Sequence, residues 1–223
     1  MIDRLHYISQ TNAEVSHLEA IEQVLHAGGK WIQLRVKDQA ENEVLNLAKA
    51  ANDLCKKFAS KLIINDFPLV SKATDAHGAH VGLNDINIIK TRLLIGKDKF
   101  IGATANTFAD LQNAAAAGAN YIGLGPFRFT NTKKNLSPIL GLEGYKKIID
   151  QVRNANINVP IIAIGGITPE DLPALLKTGI YGLALSGVLT NKPDTDLLIK
   201  QLYQELENQP SLYPLTPSES CSK

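Results

Sequence analysis

The stretch "PIIAIGGITPEDLPALLKTGIYGLALSG", residues 160–187, holds two apolar runs, 160–166 and 181–187, separated by a segment of helical periodicity. Thr168 ahead of Pro169 and Glu170 has the composition of a helix start, and Gly179 that of a helix stop. A connection this long is no hairpin. It is a crossover, and the strands that a crossover joins run parallel. Working outward, the same unit recurs: "LHYIS", "WIQLR", "KLIIN", "AHVGL", "KFIGA" and "YIGLG" come earlier in the chain, each followed by a longer stretch of helical periodicity. Further helix signals lie at Gly28, at Gly118 and at Thr107 before Asp110. Eight Val/Ile/Leu-rich strands alternating with helices predict the α/β class and a single-domain (β/α)8 TIM barrel over residues 1–208. The rival is a doubly wound open sheet, which would want a Gly-rich dinucleotide turn after its first strand; "SQTNA", residues 9–13, stands there instead.

Composition narrows the partners. With 23 basic and 22 acidic residues the formal charge is +1 and no long run of like charge occurs, so neither nucleic acid nor an anionic membrane surface is favoured. Cys55 and Cys221 lack any CxxC or Cys/His spacing, so a disulfide framework and a zinc site are not expected. The opening "MIDRLHYISQ" lacks the apolar core of a signal peptide, and no run reaches eighteen apolar residues; the expectation is a cytoplasmic protein. Residues 209–223, rich in Pro and Ser and without periodicity, are expected to form a mobile tail. Homo-oligomer formation is left open.

In a barrel of this kind the chemistry sits at the carboxyl ends of the strands. In "QLRVK", residues 33–37, Gln33, Arg35 and Lys37 alternate with Leu34 and Val36, so period two sends the three to one face as a basic, hydrogen-bonding wall. Strand three ends in Asn65-Asp66 and strand four runs into "GLND" with Asp85. Each Asp alone reads as a helix cap. Together, opposite a basic wall, two carboxylates suit a hard divalent ion such as Mg²⁺ that shares its shell with phosphate oxygens. Strand five offers Thr104 and Asn106. The long connection after strand six, Gly125 to Gly141, carries Thr130, Thr132 and Lys133, two hydroxyls and an ammonium suited to an anion. Glycines at the ends of strands seven and eight, "AIGGIT" and "ALSGVL", let backbone N–H groups approach an oxyanion, although a tight turn explains them too. A polyphosphate beside a metal and a separate monophosphate are implied, hence two phosphorylated substrates. The five histidines read as structural, and Lys61 lies at the start of its strand, at the opposite rim.

The motifs "QLRVK", "IND", "HVGLND", "GATANT", "GLGPFRFTNTKKN", "AIGGIT" and "GLALSG" together make the chain similar to thiamine phosphate synthases from Leu5 to about Leu206. That resemblance implies an alkyl transferase. It joins a pyrimidine carrying a methylene diphosphate to a thiazole monophosphate, with Mg²⁺, and releases diphosphate. It further implies that Gln33 meets the pyrimidine and that Arg35, Lys37, Asn65 and Lys133 surround its diphosphate. Asp66 and Asp85 match the magnesium ligands, and Thr104 stands on the diphosphate near the reacting centre, where Ser is more common. Thr130 and Thr132 match contacts to the thiazole, and Gly166 with the main chain of Ser186 and Gly187 matches its phosphate cradle. Lys133, Thr104 and Arg35 are the implied catalytic groups. Asn106, Leu83 and Gly187 depart from the commoner His, Gln and Ser. A thiazole tautomerase on the same barrel would have no use for Asp66, Asp85 and Lys133 together, and a barrel that only senses thiamine phosphates would bind without forming product.

Overall fold

The computed structural model describes residues 1–129, 138–190 and 192–209. Its strands are β1 (Leu5–Ile8), β2 (Trp31–Leu34), β3 (Lys61–Asn65), β4 (Gly78–Val81), β5 (Phe100–Ala105), β6 (Tyr121–Leu124), β7 (Ile161–Ala163) and β8 (Gly182–Leu185). Between and after them run α1 (His17–His26), α2 (Glu41–Lys57), α3 (Pro68–Ala73), α4 (Ile88–Ile95), α5 (Phe108–Ala116), α6 (Gly141–Asn154), α7 (Leu172–Thr178) and α8 (Thr195–Asn208), with a 3₁₀ turn, Pro169–Asp171, ahead of α7. Every neighbouring strand pair is parallel, and β8 closes onto β1 with Leu5 opposite Leu183 and Tyr7 opposite Leu185. The barrel expected from the crossover pattern is the observed architecture, and no edge is left to pair with another chain.

Local chemistry sets the helix starts. Ser16 and Thr107 accept from the N–H groups of Glu19 and Asp110, each in a reciprocal capping box, and Asn87 accepts from Lys90 N at 2.9 Å. Gly179 ends α7 in the left-handed region at φ +103°, where glycine carries no steric penalty.

Strand residues alternate between the helix layer and the barrel interior. In β2, Ile32 and Leu34 face outward into the buried helix layer while Trp31 and Gln33 point inward. The interior therefore has two storeys. Toward the amino-terminal rim, His6 stacks on Trp31 at 4.8 Å, and Phe100 and Tyr121 pack against the same indole at 5.3 and 5.6 Å. Above them lies a polar layer: Gln33, Asn65, His80 and Thr104, all buried. The aromatic storey is the floor on which the site rests.

β2 stops at Leu34, so Arg35 and Lys37 belong to the loop after it and not to the strand. The alternation survives the strand's end: Val36 is buried while Arg35 and Lys37 turn to the rim.

Candidate active site

Two adjoining cavities open at the carboxyl ends of β2 to β6. The inner, about 50 Å³, reaches down to the polar layer and is lined by Gln33, Asn65, His80 and Thr104 with Tyr121 and Gly123. The outer, about 210 Å³, holds Lys37, Asp66, Asp85 and Asn106. Arg35, Asn65 and Thr104 line both, so six of the expected site residues and the departure Asn106 share one mouth. Gln33 belongs to the inner chamber, where its Nε2 donates to Asn65 Oδ1 at 2.7 Å, fixing both amides.

Neither aspartate is a helix cap. α3 begins at Phe67 without any side-chain cap, and α4 is capped by Asn87. Asp85 Oδ2 instead accepts from Gly82 N at 2.7 Å, which folds the β4–α4 turn back on itself. Asp66 sits at φ +64°, a conformation that costs a non-glycine residue roughly 1–3 kcal/mol. Its N–H still donates to His80 O at 2.9 Å, so the strained residue is tied into the β3–β4 ladder. Burial lifts the Asp66 carboxyl above its usual range, and a hydrogen bond and like charge from Asp85 lift it further; the paired Lys37 ammonium opposes both. Two converging carboxylates, one of them disfavoured as an anion, form a place where a hard cation is wanted. Among the described residues no group of three or more Asp, Glu, His or Cys side chains is placed to hold a metal ion. A cation there would complete its shell from water and phosphate. Arg35, half-buried, is held below its usual pKa by desolvation, which the Asp66 charge partly offsets.

The β7 and β8 ends look different from their sequence. A Cβ on Gly166, at φ +69°, would lie 2.6 Å from Arg128 Cγ and 2.7 Å from Phe129 O. The room that this glycine makes is taken by the start of the β6–α6 connection. That segment is pinned by Phe127 N to Ile164 O (2.9 Å), Arg128 N to Gly165 O (3.0 Å) and a bidentate pair from Arg128 to Asp171 (2.6 and 2.8 Å). Ser186 Oγ lies 2.7 Å from Ile8 O and 3.1 Å from Gln10 Oε1, both acceptors, so its one proton is already committed. Gly166, Ser186 and Gly187 do not line the cavity of the two aspartates. Thr130, Thr132 and Lys133 lie outside the described residues.

All five histidines are tied into the packing. His6 is stacked in the floor, and burial holds its pKa down at about 3; His17 bonds Ser9 at 2.9 Å, His77 accepts from Leu62 N, and His26 packs on Phe58. His80 bonds Thr104 and, like His6, lines the inner cavity, which period two in "GAHV" would have revealed once β4 was known to face inward. Asn106 is also anchored, its Nδ2 donating to Gly125 O at the root of the β6–α6 connection.

Residues 5–189 match the sequence profile described as thiamine monophosphate synthase. The chain belongs to the thiamine monophosphate synthase family. Among relatives, the thiamine-phosphate synthase of Flavobacterium johnsoniae is 47% identical over 92% of this chain and 97% of its own length. That of Bacteroides fragilis is 46% identical over 85% of this chain and 93% of its own. Among solved structures, thiamine phosphate pyrophosphorylase from Pyrococcus furiosus superposes with a TM-score of 0.79 at 26% identity, covering 92% of this chain and 96% of that one. A 3-hexulose-6-phosphate synthase, at 16% identity and TM-score 0.63, shares the fold alone. No helix among the described residues is long and apolar enough to cross a membrane.

Proposed function

We propose that this chain catalyses the reaction its family and its relatives are named for: it joins a pyrimidine carrying a methylene diphosphate to a thiazole monophosphate, forming thiamine phosphate and diphosphate. The carrying observation is the convergence of Asp66, Asp85, Arg35, Lys37 and Thr104 on one cavity above a small polar chamber. The chamber suits a flat heterocycle, with the Gln33–Asn65 amide pair at its wall; the outer cavity suits its diphosphate. The hard oxygen donors fit Mg²⁺, which Asp66 and Asp85 would hold and which would supply charge neutralisation on the diphosphate oxygens.

In the reaction the bond from the pyrimidine methylene carbon to the diphosphate oxygen breaks and its electron pair leaves with diphosphate. The cation left on the methylene carbon is captured by the thiazole nitrogen lone pair. No protein nucleophile is needed. Arg35 and Lys37, with Lys133 from the adjoining connection, balance the negative charge growing on the leaving group, and Thr104 meets it with a hydroxyl. Thr130 and Thr132 would contact the thiazole. Gly166 and the main chain of Ser186 and Gly187 would receive its phosphate. The reaction belongs in the cytoplasm, where both phosphorylated substrates are retained.

Mixing the purified protein with the pyrimidine diphosphate, thiazole phosphate and Mg²⁺ should give thiamine phosphate and diphosphate in equal amounts. Asp66→Ala and Lys133→Ala should each cut turnover by a factor on the order of 10² to 10³. A parent enzyme that yields no thiamine phosphate refutes the reading, and an Asp66→Ala enzyme as fast as the parent refutes the metal assignment.

A further inference from the structure

Beneath the outer cavity a short hydrogen-bonded chain runs through the polar layer. Tyr121 OH lies 3.2 Å from His80 Nδ1, and His80 Nε2 lies 3.0 Å from Thr104 Oγ1; all three side chains are buried. Glycines on the strands beside them make room for this row. A Cβ on Gly102 would stand 2.2 Å from Tyr121 Cζ and 2.5 Å from His80 Nδ1, and one on Gly123 would stand 3.3 Å from His80 Cε1. Resting on the synthase reading above, we infer that His80 is a positioning residue: backed by Tyr121, it keeps the Thr104 hydroxyl oriented as a hydrogen-bond donor toward the departing diphosphate.

The direction of the chain follows from its two ends. At the inner end the Trp31 ring stands edge-on to Tyr121, 5.6 Å between centroids, and its buried Nε1–H, which can only donate, has no hydrogen-bond partner among the described residues and offers Tyr121 no acceptor. Burial keeps the Tyr121 phenol protonated, and among the described residues the hydrogen-bond partner of its hydroxyl is His80 Nδ1, to which it donates. A neutral imidazole that accepts at Nδ1 carries its proton on Nε2 and gives that hydrogen bond to Thr104 Oγ1. The Thr104 proton is then left for the cavity. At the outer end, phosphate oxygens accept and do not donate, so only this direction lets Thr104 stabilise the leaving group. In the opposite direction Thr104 would spend its one proton on His80 and show the anion lone pairs alone.

Two measurements decide it. Long-range proton–nitrogen spectra of the parent protein labelled with nitrogen-15 histidine should show His80 protonated at Nε2 and bare at Nδ1; a proton on Nδ1 overturns the assignment. In the thiamine phosphate assay, His80→Leu should lower kcat by about tenfold, as loss of a group that orients another from behind does. Its KM for the thiazole phosphate should not change. Thr104→Val should lower kcat by about a hundredfold. Because His80 acts through Thr104, the double variant should be no slower than Thr104→Val alone. Multiplicative losses would make His80 independent of Thr104 and overturn the inference. Should His80→Leu fail to fold, the parent's tautomer still decides. A parent that forms no thiamine phosphate would instead remove the synthase reading, an outcome distinct from an active parent with the wrong tautomer.

Discussion

Asp66 concentrates the site's electrostatics in one side chain: left-handed backbone, partial burial, a second carboxylate on one side and Lys37 on the other. Its folded pKa is raised above the ordinary 3.8, so in metal-free protein the ionised form is disfavoured by folding. The resulting penalty is absent below that ordinary value, grows as pH rises through the folded pKa, and is complete above it. Asp66→Asn should therefore leave the metal-free protein at least as stable as the parent near neutral pH, with the two converging in acid, while turnover is lost. Thermal unfolding in chelator at several pH values reads this out, and an Asn variant that melts well below the parent at neutral pH contradicts it. At this scale the sequence was legible for placement: the two aspartates and the QLRVK cations do line one cavity. It did not show Asp66's backbone, and it read His80 as structural without its place in the cavity. Both depend on which way a strand end turns, and tertiary packing decides that.

Among the elements, the root of the β6–α6 connection is tied to the turn ahead of α7 by one side chain, Arg128. Arg128 donates to both oxygens of Asp171 and to Gly166 O at 3.0 Å, and lies over the Phe127 ring at 4.8 Å. Burial alone would raise the Asp171 pKa, but hydrogen bonds from Arg128 and Thr168 outweigh it and hold the carboxyl below the usual range. A depressed pKa contributes stability above the ordinary value of 3.8 that is lost as pH falls through the folded one. Arg128→Ala should cost about 1 kcal/mol near neutral pH, a Tm lower by roughly 2–4 °C. The deficit should shrink in acid; an undiminished deficit there would mean that packing on Phe127 carries the contact. Gly166→Ala should displace the same segment from the β7 end, because its Cβ meets Phe129 O and the left-handed φ is strained for alanine. Its kcat/KM should fall more than its Tm. The glycines of "AIGGIT" were visible in the sequence as a backbone approach. What approaches them is an earlier segment of the same chain, Pro126 to Phe129, a fact that no local pattern encodes.

For the whole molecule, parallel crossovers counted to eight sufficed to read a closed barrel, because strand–helix alternation is a local signal repeated along the chain. Closure puts Lys61 and the aromatic floor at one end and every carboxyl strand end at the other, so residues as distant in sequence as Arg35 and Thr104 share a cavity. Stability comes from the continuous core between strands and helices. Leu62, fully buried on β3, should cost about 2–5 kcal/mol when cut to Ala, measured by denaturant unfolding, with the site's ligand affinity little changed in the fraction that stays folded. The central claim is that Asp66 and Asp85 recruit a divalent ion which, with the nearby cations, receives a diphosphate. Calorimetry of inorganic diphosphate binding tests it most directly. Binding should be strong with Mg²⁺, far weaker in chelator, and indifferent to Mg²⁺ in Asp66→Ala; equal binding by the parent with Mg²⁺ and with chelator would contradict it.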